Sequence, residues 1–208
     1  MSLFITFEGG EGSGKSIQAK ELYRRLSQLA VPALLTHEPG GTPFGQKVGR
    51  WLKWGQGADI SPLTELMLFN ASRAQLVSEV IRPNLESGIT VICDRYADST
   101  TAYQGFGRGL DLEMVKAIND AATQGLKPDL TILLDMPVET GLARKRGKRQ
   151  DRFEQEETAF HQRVREGYLK LSEEEPQRWL VIDGTQSKAK IAHIIWQSIS
   201  QLLSNQGG

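Results

Sequence analysis

The chain has 208 residues, and its 25 Lys plus Arg are balanced by 25 Asp plus Glu, which argues against a general nucleic-acid binder and makes any anion site local. Its length suits one domain, with or without a mobile insert, burying a core without staples. A lone Cys93 inside "TVICD" excludes an internal disulfide and reads as a buried strand thiol, zinc-ligand spacing is absent, no 18-residue apolar run occurs, and the start "MSLFITFEGG" lacks a basic region and a cleavage site, so a soluble cytoplasmic protein without a membrane contact is the expected default.

The first predicted strand, Leu3–Phe7, runs directly into "FEGGEGSGKS", which places four glycines between Phe7 and Ser16. Gly9, Gly14, Lys15 and Ser16 match G-x-x-x-x-G-K-[ST], between a strand and a helix as that motif requires. Glycines let successive backbone N–H groups, here from Gly9, Gly10, Glu11, Gly12, Ser13 and Gly14, turn into one concavity. The helix that follows aims its dipole at the same anion. Lys15 adds a point charge for the outer phosphates, and the Ser16 hydroxyl suits Mg²⁺. A nucleoside triphosphate is therefore expected. An ordinary glycine turn with a cap is the plain alternative, and a dinucleotide site lacks the Gly-Lys-Ser ending. The guanine-reading Asn-Lys-x-Asp of GTPases does not occur in the chain.

The second strand, Ala33–Thr36, leads to "HEPGGT" (37–42), a tight turn at the carboxyl end of the sheet that includes Glu38. Ser61-Pro62 marks a helix start, and Leu63, Leu66, Met67, Ala74, Val77 and Ile81 recur at helical spacing. On that helix Phe69 and Arg73 share a face, an aromatic plane beside a forked donor, although core packing with a solvated Arg reads the same pattern. The third strand, Thr90–Cys93, ends in "DRYADSTTAYQGFGRG". There Asp94 suits Mg²⁺, Arg95 suits a phosphate clamp, and Thr100, Tyr103 and Gln104 are polar readers; a capped loop start is the alternative. Strands Leu130–Leu134 and Trp179–Ile182 follow, with helical stripes at Phe160, Val164, Tyr168 and Leu171 and at Ile191, Ile194, Ile195, Ile199 and Leu202. Asp111 and Ser187 are further N-cap candidates. Several strands are followed by an acid: Glu8, Asp94, Asp135 and Asp183. Strands alternating with helices predict an α/β fold with a parallel sheet covered on both faces. One charged segment, "ARKRGKRQDRFEQEE", breaks the pattern. Its Arg144, Lys145, Arg146, Lys148, Arg149 and Arg152 form either a solvated helix face or a closing lid at about 144–156.

From "FEGGEGSGKS" through "EPGGT", "DRYADSTTAYQG" and "LLDMPVETGLAR" to "DRFEQEETAFHQRVREGYLKL", the chain resembles the bacterial thymidylate kinases (dTMP kinases) nearly end to end. The resemblance implies a P-loop kinase fold: a five-stranded parallel sheet flanked by helices, in the spatial order second, third, first, fourth, fifth. It implies dTMP and ATP as substrates, Mg²⁺ held near Ser16 and Asp94, and a homodimer; the helix after Ser61 and its neighbour around 45–54 offer an apolar contact for it, with both stripes being core as the alternative. By the same resemblance Phe69 stacks on thymine, Arg73 donates to its exocyclic oxygen, and Thr100 reads the base edge with Gln104 close by. Tyr103 crowds the sugar where a ribose hydroxyl would sit, Arg95 holds the monophosphate, and Glu11 lies near the sugar 3′-hydroxyl. Catalytic arginines fall on the lid, with Arg149 and Arg152 favoured over Arg146, acting with Lys15. Asp94 positions metal and water, with a base role as the lesser option. The chain departs from the family at Ile17, where a second hydroxyl is common, and at His37, where many relatives carry Arg. Three rivals stay open at this point: another nucleoside monophosphate or deoxynucleoside kinase on the same fold, a non-catalytic ATP-binding regulator, and a kinase relic serving as an interaction protein.

Overall fold

The computed structural model describes residues 2–55, 60–147 and 149–205. In chain order, β1 (Phe4–Glu8) leads into α1 (Lys15–Gln28), β2 (Ala33–His37) into α2 (Pro43–Trp54) and α3 (Pro62–Leu76), which continues through a π-helical turn, Val77–Ile81, into α4 (Arg82–Glu86). Then come β3 (Thr90–Asp94), α5 (Ala97–Thr100) with a second π-helical stretch over Thr101–Gly107, α6 (Leu112–Thr123), β4 (Leu130–Asp135), α7 (Val138–Ala143), α8 (Thr158–Glu174), β5 (Trp179–Asp183) and α9 (Lys188–Asn205).

The five strands form one parallel sheet in the order β2-β3-β1-β4-β5, as the resemblance implies. Their apolar runs reflect burial on both faces. On one side Phe7, Ile92, Ile132 and Leu134 meet Leu22 and Leu26 of α1 and Ile191, Ile195 and Ile199 of α9. Elsewhere Tyr103, Phe153, Phe160, Val164 and Tyr168 form a mixed aromatic cluster, and Phe4, Leu76, Val77, Ile81, Val91 and Tyr96 pack under α3. Ser61 caps α3 by accepting from the Thr64 amide, and Asp111 caps α6 by accepting from Met114 N–H at 2.8 Å. Ser187 Oγ accepts from Lys190 N–H at the start of α9.

Two features differ from the sequence reading. Each predicted strand end extends by one residue, so Glu8, His37, Asp94, Asp135 and Asp183 are the last strand residues rather than the first loop residues. Their backbones still pair: Phe7 is in register with Asp94, Glu8 with Leu133, and Asp135 with Asp183. The carboxyl edge of the sheet is thereby lined with acids. The apolar stripe of α3 also splits. Leu66, Val77 and Ile81 are buried, whereas Leu63 and Met67 are 45% and 54% exposed. Cys93 is a free, buried thiol.

Candidate active site

The glycine stretch wraps the start of α1. Gly12 and Gly14 take left-handed backbone angles, φ 71° and 97°, and Gly14 is the N-cap; only glycine adopts these without steric cost. Ile17 and Gln18 N–H donate to Gly14 O at 3.0 and 3.1 Å, and the N–H groups at the very start of a helix, here Lys15 and Ser16, are the ones left for an anion. Lys15 crosses the loop, donating to Gly10 O at 2.7 Å and Ser13 Oγ at 3.3 Å. Burial, with help from the Arg95 charge, lowers its ammonium to about 8 against the pull of Glu11, Asp94 and Glu8. Ser16 Oγ donates to Asp94 Oδ2, and Asp94 Oδ1 is buried without a partner among the described residues. One hydroxyl and one carboxylate, the latter with an unfilled oxygen, are hard donors that suit Mg²⁺, which takes a few protein oxygens and completes its shell with phosphates and water.

The loop opens into a cavity of about 930 Å³. It is lined as well by Glu38, Phe69, Arg73, Arg95, Thr100, Tyr103 and Gln104, so the second-substrate candidates share one space with the anion loop. Arg95 follows β3 in a left-handed conformation, φ 72°, a costly geometry for a non-glycine residue that functional sites store. It turns the guanidinium back over the loop. Nη2 donates to Glu11 Oε1 at 2.7 Å and to Tyr103 OH at 3.2 Å, and Nη1 reaches Gly9 O, Ser99 Oγ and Tyr168 OH at 3.3–3.4 Å. Tyr103 OH also donates to Glu11 Oε1 at 2.8 Å. Burial pushes the Glu11 carboxyl up, but the Arg95 and Lys15 charges and the Tyr103 hydroxyl outweigh it and hold it at about 2. The carboxylate in the middle of an anion loop therefore faces Arg95 and Tyr103.

Beneath Arg95 sits Glu8, whose carboxyl accepts from Tyr96 N–H at 2.8 Å, Ser99 Oγ at 2.6 Å and Tyr168 OH at 2.9 Å. Burial, together with nearby Asp98, raises it to about 7. Arg73 is buried: Nε donates to Glu38 Oε2 at 2.8 Å, Nη1 to the side chains of Asn70, Thr100 and Asn119, and Nη2 to Tyr96 O at 3.2 Å. The other Nη2 hydrogen has no acceptor among the described residues.

The described residues of the charged segment form turns and irregular chain between α7 and α8. Arg144, Lys145, Asp151, Phe153 and Glu154 line the cavity. Arg144 Nη1 donates to Gly12 O and Gly184 O, each at 3.3 Å, and the Phe153 ring lies 5.7 Å from Phe69. Arg149 and Arg152 do not belong to that lining. The guanidinium of Arg149 lies 4.6 Å over Trp54, and Arg152 is paired with Glu65 and donates to Leu52 O at 3.1 Å. Arg146 is exposed, and Lys148 lies outside the described residues. His37, in register with Asp94, lines the cavity, and partial burial lowers its imidazole. Ile17 is exposed at the cavity rim.

Sequence reasoning missed several supports. Ser99, Tyr168 and Asn119 tie the arginines in place, and Gly141 backs the glycine loop. A Cβ on Gly12 would overlap the Gly141 carbonyl, and one on Gly141 would overlap the Glu11 carbonyl. The one available signal was Glu8, an acid ending a buried strand.

The family model described as thymidylate kinase matches residues 7–195. Thymidylate kinases from Dehalococcoides mccartyi are 55% identical over 203 residues, covering 98% of each chain. The thymidylate kinase of Syntrophotalea carbinolica is 47% identical over 215 residues, covering all of both chains. The crystal structure of thymidylate kinase from Ehrlichia chaffeensis superposes with a TM-score of 0.78 at 32% identity, covering 95% of this chain and 98% of that one. On the strength of that match over most of its length and of these relatives, the chain belongs to the thymidylate kinase family of nucleoside monophosphate kinases.

Proposed function

We propose that the protein transfers the γ-phosphoryl group of ATP, held with Mg²⁺, to dTMP, giving dTDP. Family membership over nearly the whole chain supports the reaction. One observation carries the assignment of ends: Glu11 pairs with Arg95 and Tyr103 rather than standing free in the anion loop. The loop backbone and Lys15 are assigned to the triphosphate, and Phe69, Arg73, Thr100 and Gln104 to the thymine. Arg95 is assigned to the acceptor phosphate, Tyr103 to the sugar edge and Glu11 to the 3′-hydroxyl side, with Glu38 fixing Arg73.

Phosphoryl transfer asks for in-line placement and for stabilisation of charge on the moving group. Arg95 and Lys15 line one cavity, which supports a reading in which two anions are bound end to end. The acceptor phosphate is already nucleophilic, so no general base is required. Ser16 and Asp94 would hold the metal, which when bound neutralises charge on the donor phosphates. Residues 144–156 are proposed as a lid, part of the single domain of 1–208, that excludes water when closed. Arg149 and Arg152 are its candidate catalytic arginines, and both must leave Trp54 and Glu65 to reach the phosphates.

A second copy of the chain is the proposed partner. Phe44, Trp51 and Trp54 of α2 and Leu63 and Met67 of α3 are exposed on two adjacent helices, an apolar face of the kind that oligomers cover. No nucleic-acid or membrane partner is proposed; no helix among the described residues is long and apolar enough to cross a membrane. A reducing cytoplasm is the proposed location, and the one cysteine is a free thiol.

The test is ADP release measured with dTMP, dUMP, UMP, dCMP and dGMP in parallel, with ATP and Mg²⁺. The reading expects dTMP to give the highest kcat/KM. A preference for a purine or a ribonucleotide would favour another kinase of the same fold, and no release with any of them would favour a binding protein.

A further inference from the structure

Glu65, on α3, is 1% exposed, yet it gathers three donors. Oε1 accepts from Gln104 Nε2 at 2.7 Å and from Arg108 Nε at 3.2 Å; Oε2 accepts from Arg108 Nη2 at 3.3 Å and from Arg152 Nη2. Guanidinium groups carry donors only, so both Glu65 oxygens are committed as acceptors. That fixes the one ambiguity of an amide. Turning Gln104 over would set its oxygen against a carboxylate oxygen in a dry site, where two facing acceptors are costly. Gln104 therefore gives its NH₂ to Glu65 and turns Oε1 away. That oxygen is buried and has no partner among the described residues, and the residue lines the cavity with Phe69, Arg73 and Thr100.

We infer that Glu65 is a specificity-determining residue, acting through Gln104. By holding the amide in one orientation it makes the acceptor pocket offer a hydrogen-bond acceptor together with the one Arg73 Nη2 hydrogen that Tyr96 O leaves free. A donor next to an acceptor complements a carbonyl next to a ring N–H, the imide edge of a 4-oxopyrimidine such as thymine or uracil. It opposes a 4-aminopyrimidine, which presents an amino group and a bare ring nitrogen. A site built around a hydrogen bond rejects the mismatched base far more strongly than shape alone does. Glu65 touches no substrate atom, so it is a positioning residue, and this inference rests on the acceptor site proposed above.

The experiment measures kcat/KM for dTMP, dUMP and dCMP in the wild type and in Glu65→Gln, where a neutral amide at 65 lets Gln104 turn over. The dTMP:dCMP ratio is expected to fall by about tenfold or more, while dTMP:dUMP stays constant, because both bases carry the N–H. Loss of packing alone would move all three substrates together. Arg108→Ala strips a guanidinium from Glu65 without touching Gln104 and is expected to keep the ratio. A measurement on the wild type covers the case in which Glu65→Gln does not fold: with ¹⁵N-labelled dTMP bound, the imino proton is expected to be protected from exchange and coupled to the Gln104 side chain. An unchanged dTMP:dCMP ratio in folded Glu65→Gln, or a bound base contacted by the Gln104 NH₂, overturns the inference. A wild type that phosphorylates none of the three would instead overturn the proposed function.

Discussion

Arg73 Nε and Glu38 Oε2 lie 2.8 Å apart, with the two side chains 1% and 3% exposed. The pair joins the turn after β2 to α3 and fixes the guanidinium that faces the acceptor pocket. Burial raises the Glu38 carboxyl, and Arg73 opposes the rise. Removing one partner leaves an uncompensated buried charge, which costs about 3–5 kcal/mol. Arg73→Ala is expected to lose stability on that scale in urea unfolding, together with dTMP affinity. Glu38→Gln, which keeps shape and an acceptor, is expected to lose less stability. Equal losses would mean that the charge of Glu38, and not its shape or its hydrogen bond, holds the arginine.

Arg149→Ala and Arg152→Ala separate chemistry from binding. An arginine brought to the transferring phosphoryl group is worth about 10³-fold or more in turnover. Since both side chains sit outside the cavity lining, dTMP affinity measured by calorimetry is expected to stay near that of the wild type while kcat falls. Near-normal turnover in both single variants would remove the lid from the reaction.

Lys15 governs the alkaline limb of the free enzyme. Burial and the Arg95 charge hold its ammonium at about 8, so it discharges as the pH rises past that value. A bound triphosphate favours the charged form and pushes the transition upward. The kcat/KM for ATP is therefore expected to decline above pH about 8, while kcat holds to higher pH. Parallel pH profiles for the two constants would contradict this.

Glu8 places a second window in the stability curve. Its folded-state value, about 7, lies above the ordinary 4.5 because of burial and the neighbouring Asp98. Between those values the folded protein binds more protons than the unfolded chain, so stability falls with rising pH. The contribution is complete below about pH 4.5 and gone above about pH 7. Glu11, held at about 2, acts in the opposite sense and only below about pH 4.5. Unfolding free energies from urea titrations at pH 5 and pH 8 are expected to differ less in Glu8→Gln than in the wild type, by about 1–3 kcal/mol. The same difference in both proteins would exclude Glu8 as the source.

Gly141→Ala tests the backing of the anion loop. A Cβ there would meet the Glu11 carbonyl, and backbone cannot step aside as a flexible side chain does. ATP affinity is expected to fall at least about tenfold, with far-ultraviolet circular dichroism unchanged. Normal ATP affinity would show that the loop tolerates displacement at Glu11.

Much of this was legible in the sequence because it is written locally. Gly14-Lys15-Ser16 after an apolar strand fixes a turn and a helix start by neighbouring residues alone. The same holds for Ser61-Pro62 and for the five buried runs. The supports were not legible because they join distant segments: Glu8 meets Tyr168, Arg73 meets Asn119, and Gly12 meets Gly141. No periodicity carries such a pairing. The strand ends were misplaced by one residue because an acid reads as a break, yet its backbone pairs like any other. The exposed Leu63 and Met67 obey helical spacing as buried residues do, so spacing alone could not tell core from an outward apolar face.

The central claim is that two nucleotides meet end to end at the carboxyl edge of the sheet. Its most direct test is a crystal structure with dTMP and a non-hydrolysable ATP analogue bound together. The account predicts the pyrimidine against Phe69 and Arg73, its phosphate on Arg95, and the triphosphate in the loop of residues 9–16. A pyrimidine bound anywhere else in the cavity, or a dTMP phosphate out of reach of Arg95, would contradict it.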